Sequence, residues 1–253
     1  MSIKLFSKKV HLVTLIILVH LTFSYYFIPR YWSAALGFVL IIVLSYLTWK
    51  NNFSYWTGIR LKFREAVLTA FCAIVFLSGS FFLMKTIAEG NNIQVQPGNY
   101  GDILHTFFYS LNEEIIMGAL LLKGIKHRWL NVSEWKISVG IALGFSILHF
   151  VFFKWIFLNS GNLNFTILLS LFFIGIFRNN LILKTGHIGY SWAIHFGWVF
   201  PMLGCAHFNK IQENYLTDFE RFDIYLGDNT TAIISAFLAI SSFLIFRKKT
   251  ISS

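Results

Sequence analysis

Charge is scarce in this sequence. Of 253 residues, 21 are Lys or Arg and 11 are Asp or Glu, so 13% are charged, against about 25% in an average soluble domain. Cysteine is rarer still: Cys72 lies inside an apolar run and Cys205 at the end of another, with no CxxC and no paired spacing. Neither a disulfide framework nor a thiolate metal site is indicated. Internal repeats, low-complexity tracts and linkers are missing too, so the expected organisation is a single domain over 1–253. What fills the chain is apolar: 56% hydrophobic residues, 19% aromatics and a mean hydropathy of +0.64. That is the composition of a polytopic membrane protein.

A membrane-spanning helix needs about 20 mostly apolar residues. Eight stretches qualify: 10–28, 32–49, 66–84, 103–122, 137–158, 165–183, 188–205 and 230–246. The expected fold is therefore all-α, a bundle of about eight transmembrane helices embedded in a lipid bilayer. The run after Lys4, Lys8 and Lys9 is too long for a signal-peptide core and lacks a small-residue cleavage site, which makes it a retained first helix. The net charge of +10 does not point to nucleic acid, because the cations fall in short clusters between apolar runs. Such clusters face an anionic cytoplasmic leaflet. With the N-terminus inside, fifteen cations are cytoplasmic, Arg30, Lys85, Lys154, Lys210 and Arg221 are outside, and Arg178 sits near the inner end of the sixth span. Both termini are then cytoplasmic, in what reads as a prokaryotic plasma membrane. The segment 51–64 mixes aromatics with Arg60, Lys62 and Arg64 and is expected to lie along the inner interface. The acidic outer loop 206–229 receives no role.

Against this background Ser110 to Leu122 stands out, since Glu113 and Glu114 sit about halfway through an apolar span. A charge at the bilayer centre costs at least about 2.5–3.5 kcal/mol, so two adjacent carboxylates call for partners. His149 in the fifth span and His195 in the seventh lie at similar depth. Adjacent helical residues point about 100° apart, so one acid is expected to act and the other to brace it. Phe145 precedes His149 by one helical turn and is expected to pack on its ring. Gly140, Gly144, Gly175, Gly189 and Gly197 are expected to let helices approach closely around a cavity.

Glu113-Glu114, then Phe145-Ser-Ile-Leu-His149, then Ala193-Ile-His195-Phe-Gly197 resembles the three-motif pattern of the CAAX-protease and bacteriocin-processing (CPBP, Abi) family of intramembrane endopeptidases. The similarity runs over about 102–201 and includes the Lys184-Thr185-Gly186 turn. The resemblance implies a helical bundle enclosing a wet cavity, where a peptide bond of a peptide or membrane-bound protein is hydrolysed. It assigns water activation to Glu113, with Glu114 as its orienting neighbour and His149 and His195 as oxyanion-stabilising partners. Two positions depart from the pattern. Gly118 stands where the first motif carries Arg or another polar residue, and Val199 where the last carries Asn or Asp. Asn112, Arg178, Asn179 and Asn180 are candidate replacements, although polar residues at a helix end ordinarily meet headgroups.

No cofactor is expected. One Glu and two His are a known zinc set, but HExxH is absent and nothing braces the three by spacing. Two further readings stay open: a catalytically inactive relative acting as a peptide-binding, immunity or scaffold protein, and a proton-coupled carrier, for which paired broken helices are missing. His20, His105, His187 and His207 read as structural or interfacial, and Trp32, Trp49, Trp56, Trp129 and Trp135 as an aromatic belt.

Overall fold

A computed structural model describes residues 30–97, 100–152, 164–210 and 218–247; the expected first span, 10–28, lies outside them. The other seven expected spans are helical over their described residues. Helix α1 is Arg30–Trp49, followed by a short turn and α2, Phe53–Thr57. Helix α3 is Phe63–Gly90. Helix α4, Tyr100–Glu113, passes into a π-helical stretch, Glu114–Leu121, and on into α5, Leu122–Arg128. Then come α6, Glu134–Phe152, α7, Phe165–Thr185, and α8, Gly189–Val199, which runs into a second π-helical stretch, Phe200–Cys205. Helices α9, Asp218–Leu226, and α10, Asn229–Arg247, complete the bundle. One small β element was not expected: β1, Ile93–Pro97, pairs antiparallel with β2, Ala206–Lys210, joining the end of α3 to the chain after α8.

The bundle is apolar on its outside as well as its inside. Phe71, Ile74 and Phe82 of α3 and Ile233 and Phe237 of α10 are all exposed, as lipid-facing residues must be where the surrounding solvent is hydrocarbon. The chain is an integral membrane protein. By length and composition Trp32–Thr57, Phe63–Gly90 and Phe165–Thr185 are each long and apolar enough to cross a membrane. The helices bearing the acids and His195 are instead interrupted by π turns.

Because lipid is as apolar as leucine, helices in a bilayer associate through close packing and hydrogen bonds. The glycines divide on this point. A Cβ on Gly197 would lie 2.8 Å from the Cβ of Phe76 and 2.9 Å from the backbone N of Leu77, so α8 presses against the backbone of α3 there. A Cβ on Gly175 would stand 3.1 Å from that of Ala142, which fixes the crossing of α7 with α6. Gly140 and Gly144, expected to serve the same end, have nothing within 4 Å of an added Cβ. They lie on the open face of α6, so the close approach there comes from Ala142.

Hydrogen bonds supplement the packing. Asn179 donates to Ser138 O at 2.9 Å, Asn180 to Ser242 Oγ at 2.8 Å, and Ser146 to Leu168 O at 2.8 Å, tying α7 to α6 and α10. Lys123, 6% exposed, donates to Tyr55 O and, at 3.0 Å, to Gly186 O. A cation there meets the carbonyl ends of α2 and α7, where the helix dipole is negative. Gly186 takes φ +78° and its N–H bonds Ile182 O at 2.8 Å, which ends α7 with a left-handed cap that glycine adopts without strain. Trp49 and Trp56 leave the expected aromatic belt: both are buried and stack at 5.7 Å, folding segment 51–57 back onto the bundle.

Two substitutions read this division. Gly197→Ala should cost about 1–3 kcal/mol through overpacking, lowering the thermal midpoint of the detergent-solubilised protein. Gly140→Ala should raise it, by up to about 1 kcal/mol, because it only removes helix-interior glycine entropy.

Candidate active site

The π-helical stretch begins at Glu114, one residue after Glu113. Its wider turn alters the angle between neighbouring side chains. Both reach one guanidinium: Arg178 Nη1 lies 3.6 Å from Glu113 Oε1 and 4.0 Å from Glu114 Oε1. Such insertions occur where function requires an altered helix face.

His149 and His195 come to the same place from α6 and α8. His195 Nδ1 is 3.0 Å from Glu114 Oε1, and its Nε2 is 4.0 Å from Glu113 Oε2. His149 Nε2 is 3.9 Å from Glu113 Oε1. Phe145, a turn earlier, holds His149 twice over: the ring centroids are 4.4 Å apart, and Phe145 O accepts from Nδ1 at 2.9 Å. The four sequence-selected residues, Glu113, Glu114, His149 and His195, thus form one group.

Their exposures differ in a way that assigns roles. The Glu114 side chain is fully buried, whereas that of Glu113 retains 12% exposure. Glu113 is the less enclosed of the two, and Glu114, bonded to His195, orients that ring. Both imidazoles direct Nδ1 at an acceptor, a carbonyl for His149 and a carboxylate for His195. A neutral imidazole carries one N–H, so in the neutral form each ring would turn the lone pair of Nε2 toward Glu113.

Of the candidate polar replacements, three are engaged elsewhere. Asn112 donates to Ala34 O at 2.8 Å, and Asn179 and Asn180 make the helix ties described above. Arg178 does not sit among headgroups. It is 3% exposed, seven residues inside the end of α7, with its Cζ 4.1 Å over the ring of Phe145. The signal was the run Arg178-Asn179-Asn180 within an apolar helix, too polar to be accidental at that depth. Tyr109, one turn before Glu113, did not stand out in the sequence; its hydroxyl hydrogen-bonds the Glu113 side chain and its ring lies 6.5 Å from that of His195.

A cavity of about 410 Å³ adjoins the group. Glu114, His149, Arg178 and His195 form its polar wall, and the rest is almost wholly apolar, including Val199. It runs between α3 and α10, where Val75 and Ile234 line it and are also exposed on the outer surface, 49% and 39%. The cavity therefore communicates with the lipid-facing side.

This buried acid–imidazole–guanidinium centre is drawn from α4 and its π continuation, α6, α7 and α8, and it invites comparison with known proteins. Residues 102–200 match the family described as type II CAAX prenyl endopeptidase Rce1-like. Every residue of the centre lies within the Rce1-like segment, which agrees with the stretch on which the sequence resemblance rests. At family level the match speaks for a CAAX-type membrane protease. No curated protein and no solved structure gives a match.

The two acids should differ in what they do for stability. Glu114→Ala strands the buried Nδ1–H of His195, empties a fully buried site and removes one of the two carboxylates beside Arg178, and should cost about 3–5 kcal/mol. Glu113→Gln keeps shape and leaves Glu114 to balance Arg178, so it should cost no more than about 1 kcal/mol. Thermal unfolding of both variants in one detergent measures the difference.

Proposed function

We propose that this protein is an intramembrane endopeptidase that hydrolyses a peptide bond of a peptide or membrane-bound protein with a water activated by Glu113. The observation that carries the reading is the convergence of three groups: the one partly open carboxylate has two imidazole Nε2 atoms within 4.0 Å. A water between Glu113 and His149 is held by acceptors on both sides, and Glu113 takes its proton. The hydroxide oxygen attacks the carbonyl carbon, and the carbonyl π pair moves onto oxygen. When that pair returns, the C–N bond breaks. The proton held by Glu113 passes to the leaving amine, with His195 Nε2 as the neighbouring carrier. Water is consumed, and one carboxylic acid and one amine are released.

Burial supports the same reading, since a dry setting strengthens every electrostatic contact to the developing charge. The opening between α3 and α10 supports a substrate that arrives from the bilayer with an apolar segment in the cavity. No metal enters the proposal: a fixed cation, Arg178, already stands 3.6 Å from Glu113.

Val199 favours a second reading, a silent relative that binds a peptide without cleaving it, because an apolar residue lines the cavity where the resembling motif carries an amide or acid. The experiment separates the two. Liposomes holding the full chain are incubated with a library of apolar quenched-fluorescence peptides, and products are identified by mass. Wild type should cleave a subset, Glu113→Gln should be slower by at least about 10²-fold, and EDTA or phenanthroline should change nothing. Equal turnover by wild type and Glu113→Gln rejects the assignment, and binding without cleavage by wild type selects the silent reading.

A further inference from the structure

Hydrolysis at this centre needs a hydrogen-bond donor for the carbonyl oxygen as it becomes an oxyanion, and most donors in the group are already engaged. His149 and His195 commit their Nδ1–H groups to Phe145 O and Glu114. The Tyr109 hydroxyl bonds Glu113, and Ser191 donates to Ile188 O at 2.9 Å. Arg178 is the exception. Its Nη2 lies 3.5 Å from Asn179 Oδ1, but Nη1 and Nε, both fully buried, meet no hydrogen-bond acceptor. Glu113 Oε1 is likewise without a hydrogen-bond partner, and only 3.6 Å separates it from Nη1. Arg178 also lines the cavity, so a carbonyl oxygen seated there meets a guanidinium with N–H groups still to be bonded.

We infer that Arg178 is a catalytic residue, whose Nη1–H and Nε–H bind the carbonyl oxygen of the scissile bond and hold it as an oxyanion. This rests on the hydrolytic reading above and adds the one charged donor that reading lacks. A guanidinium suits the task because it stays charged at any working pH and presents several N–H groups in a fixed plane. Phe145 supports that plane from one side.

Gly118 stands beside it. A Cβ there would meet Ile182 Cδ1 at 2.6 Å and Glu114 Oε2 at 3.3 Å, and would lie 3.9 Å from Arg178 Cδ. The tight contacts are with Ile182 and Glu114; toward Arg178 a methyl group would make ordinary contact, and only a longer side chain would compete with the arginine stem. The same proximity means that an arginine rooted at 118 reaches the same carboxylates. In this chain the guanidinium comes from α7, and Gly118 stands where the resembling motif carries Arg or another polar residue.

The test uses a peptide phosphinate, a stable tetrahedral oxyanion, carried on an apolar peptide. It is titrated by fluorescence against the full chain in nanodiscs with Glu113→Gln, which stands for the acid after it has taken the water's proton. The groups facing Arg178 are Glu114, His149, His195, Tyr109 and, in this variant, the neutral amide that replaces the Glu113 carboxylate. Affinity should change by less than about threefold from about pH 6.0 to 8.5, because a guanidinium does not titrate there. Adding Arg178→Gln should weaken it by about 10²–10³-fold, the usual effect of removing one oxyanion donor. Trp198 Nε1 is another uncommitted donor on the cavity wall, and Trp198→Phe should leave affinity within about threefold, as for a group off the oxyanion.

A loss of about tenfold across that pH range assigns the oxyanion to imidazolium, whose titration falls within it, and overturns the inference. So does an affinity indifferent to Arg178→Gln, or a loss seen with Trp198→Phe alone. Should Arg178→Gln fail to fold, the swap Gly118→Arg with Arg178→Gly decides: phosphinate binding by the folded swap supports the role, and its absence refutes it. Phosphinate binding that needs Arg178 in a chain that cleaves no peptide leaves the oxyanion site standing and removes the hydrolytic reading. Cleavage without dependence on Arg178 does the reverse, and no phosphinate binding at all overturns both.

Discussion

Two carboxylates on consecutive residues, sealed inside an apolar bundle beside one guanidinium, constrain the rest of this structure. Neither acid is tolerable in hydrocarbon alone. With both ionised and Arg178 charged, the centre carries one negative charge in excess. One further proton, on an acid or an imidazole, restores neutrality. A centre that carries one exchangeable proton among Glu113, His149 and His195 is already disposed to move it, and the same burial that makes the charges costly makes the proton's position consequential.

The position of α7 follows from this. Arg178 must arrive from a helix that cannot shift, and α7 is held on three sides. Gly175 brings it against Ala142 of α6, Asn179 and Asn180 tie it to α6 and α10, and Gly186 ends it where Lys123 can meet its carbonyls. The asparagines that might have supplied chemistry serve as fixtures for the arginine beside them. Likewise α8 is pressed on the backbone of α3 at Gly197, two residues from His195. The histidine is set by a contact in which neither helix can yield much.

Much of the centre was legible in the sequence because depth in an apolar span is a strong signal for an ionisable residue. Glu113, Glu114, His149 and His195 declare themselves by type and depth alone, and Phe145 by a spacing of one turn. The π winding at Glu114 was not legible, since nothing in Glu-Ile-Ile-Met-Gly-Ala-Leu-Leu opposes an ordinary α-helix; the stretch is shaped by the site it serves. Arg178 was visible but easily assigned to the interface, because seven residues from a helix end is a distance that a long side chain can snorkel. Its true direction is set by Glu113, Glu114 and Phe145, on other helices, and no local pattern carries that. Gly140 and Gly144 mislead for the complementary reason: spacing shows that glycines are present, and only packing shows which of them are pressed.

The cavity's own chemistry narrows what can occupy it. Thr231 and Ser235 line it, yet each hydroxyl is turned to a helix carbonyl, Tyr225 O at 2.6 Å and Thr231 O at 2.7 Å. Away from the polar wall the cavity therefore offers a peptide backbone few partners, and an unpaired amide in such a place costs several kcal/mol, on the order of 2–7. A chain entering between α3 and α10 must arrive with its backbone bonds satisfied internally, as a helix does, or expose apolar groups that have none to satisfy. Among the described residues it can open beside Glu113 and Arg178, where Glu113 Oε1 and Arg178 Nη1 and Nε meet no hydrogen-bond partner. The apolar walls thus restrict unwinding to the residues next to the water, and a bundle that is almost entirely hydrophobic selects where a bond is exposed without reading its side chains in detail.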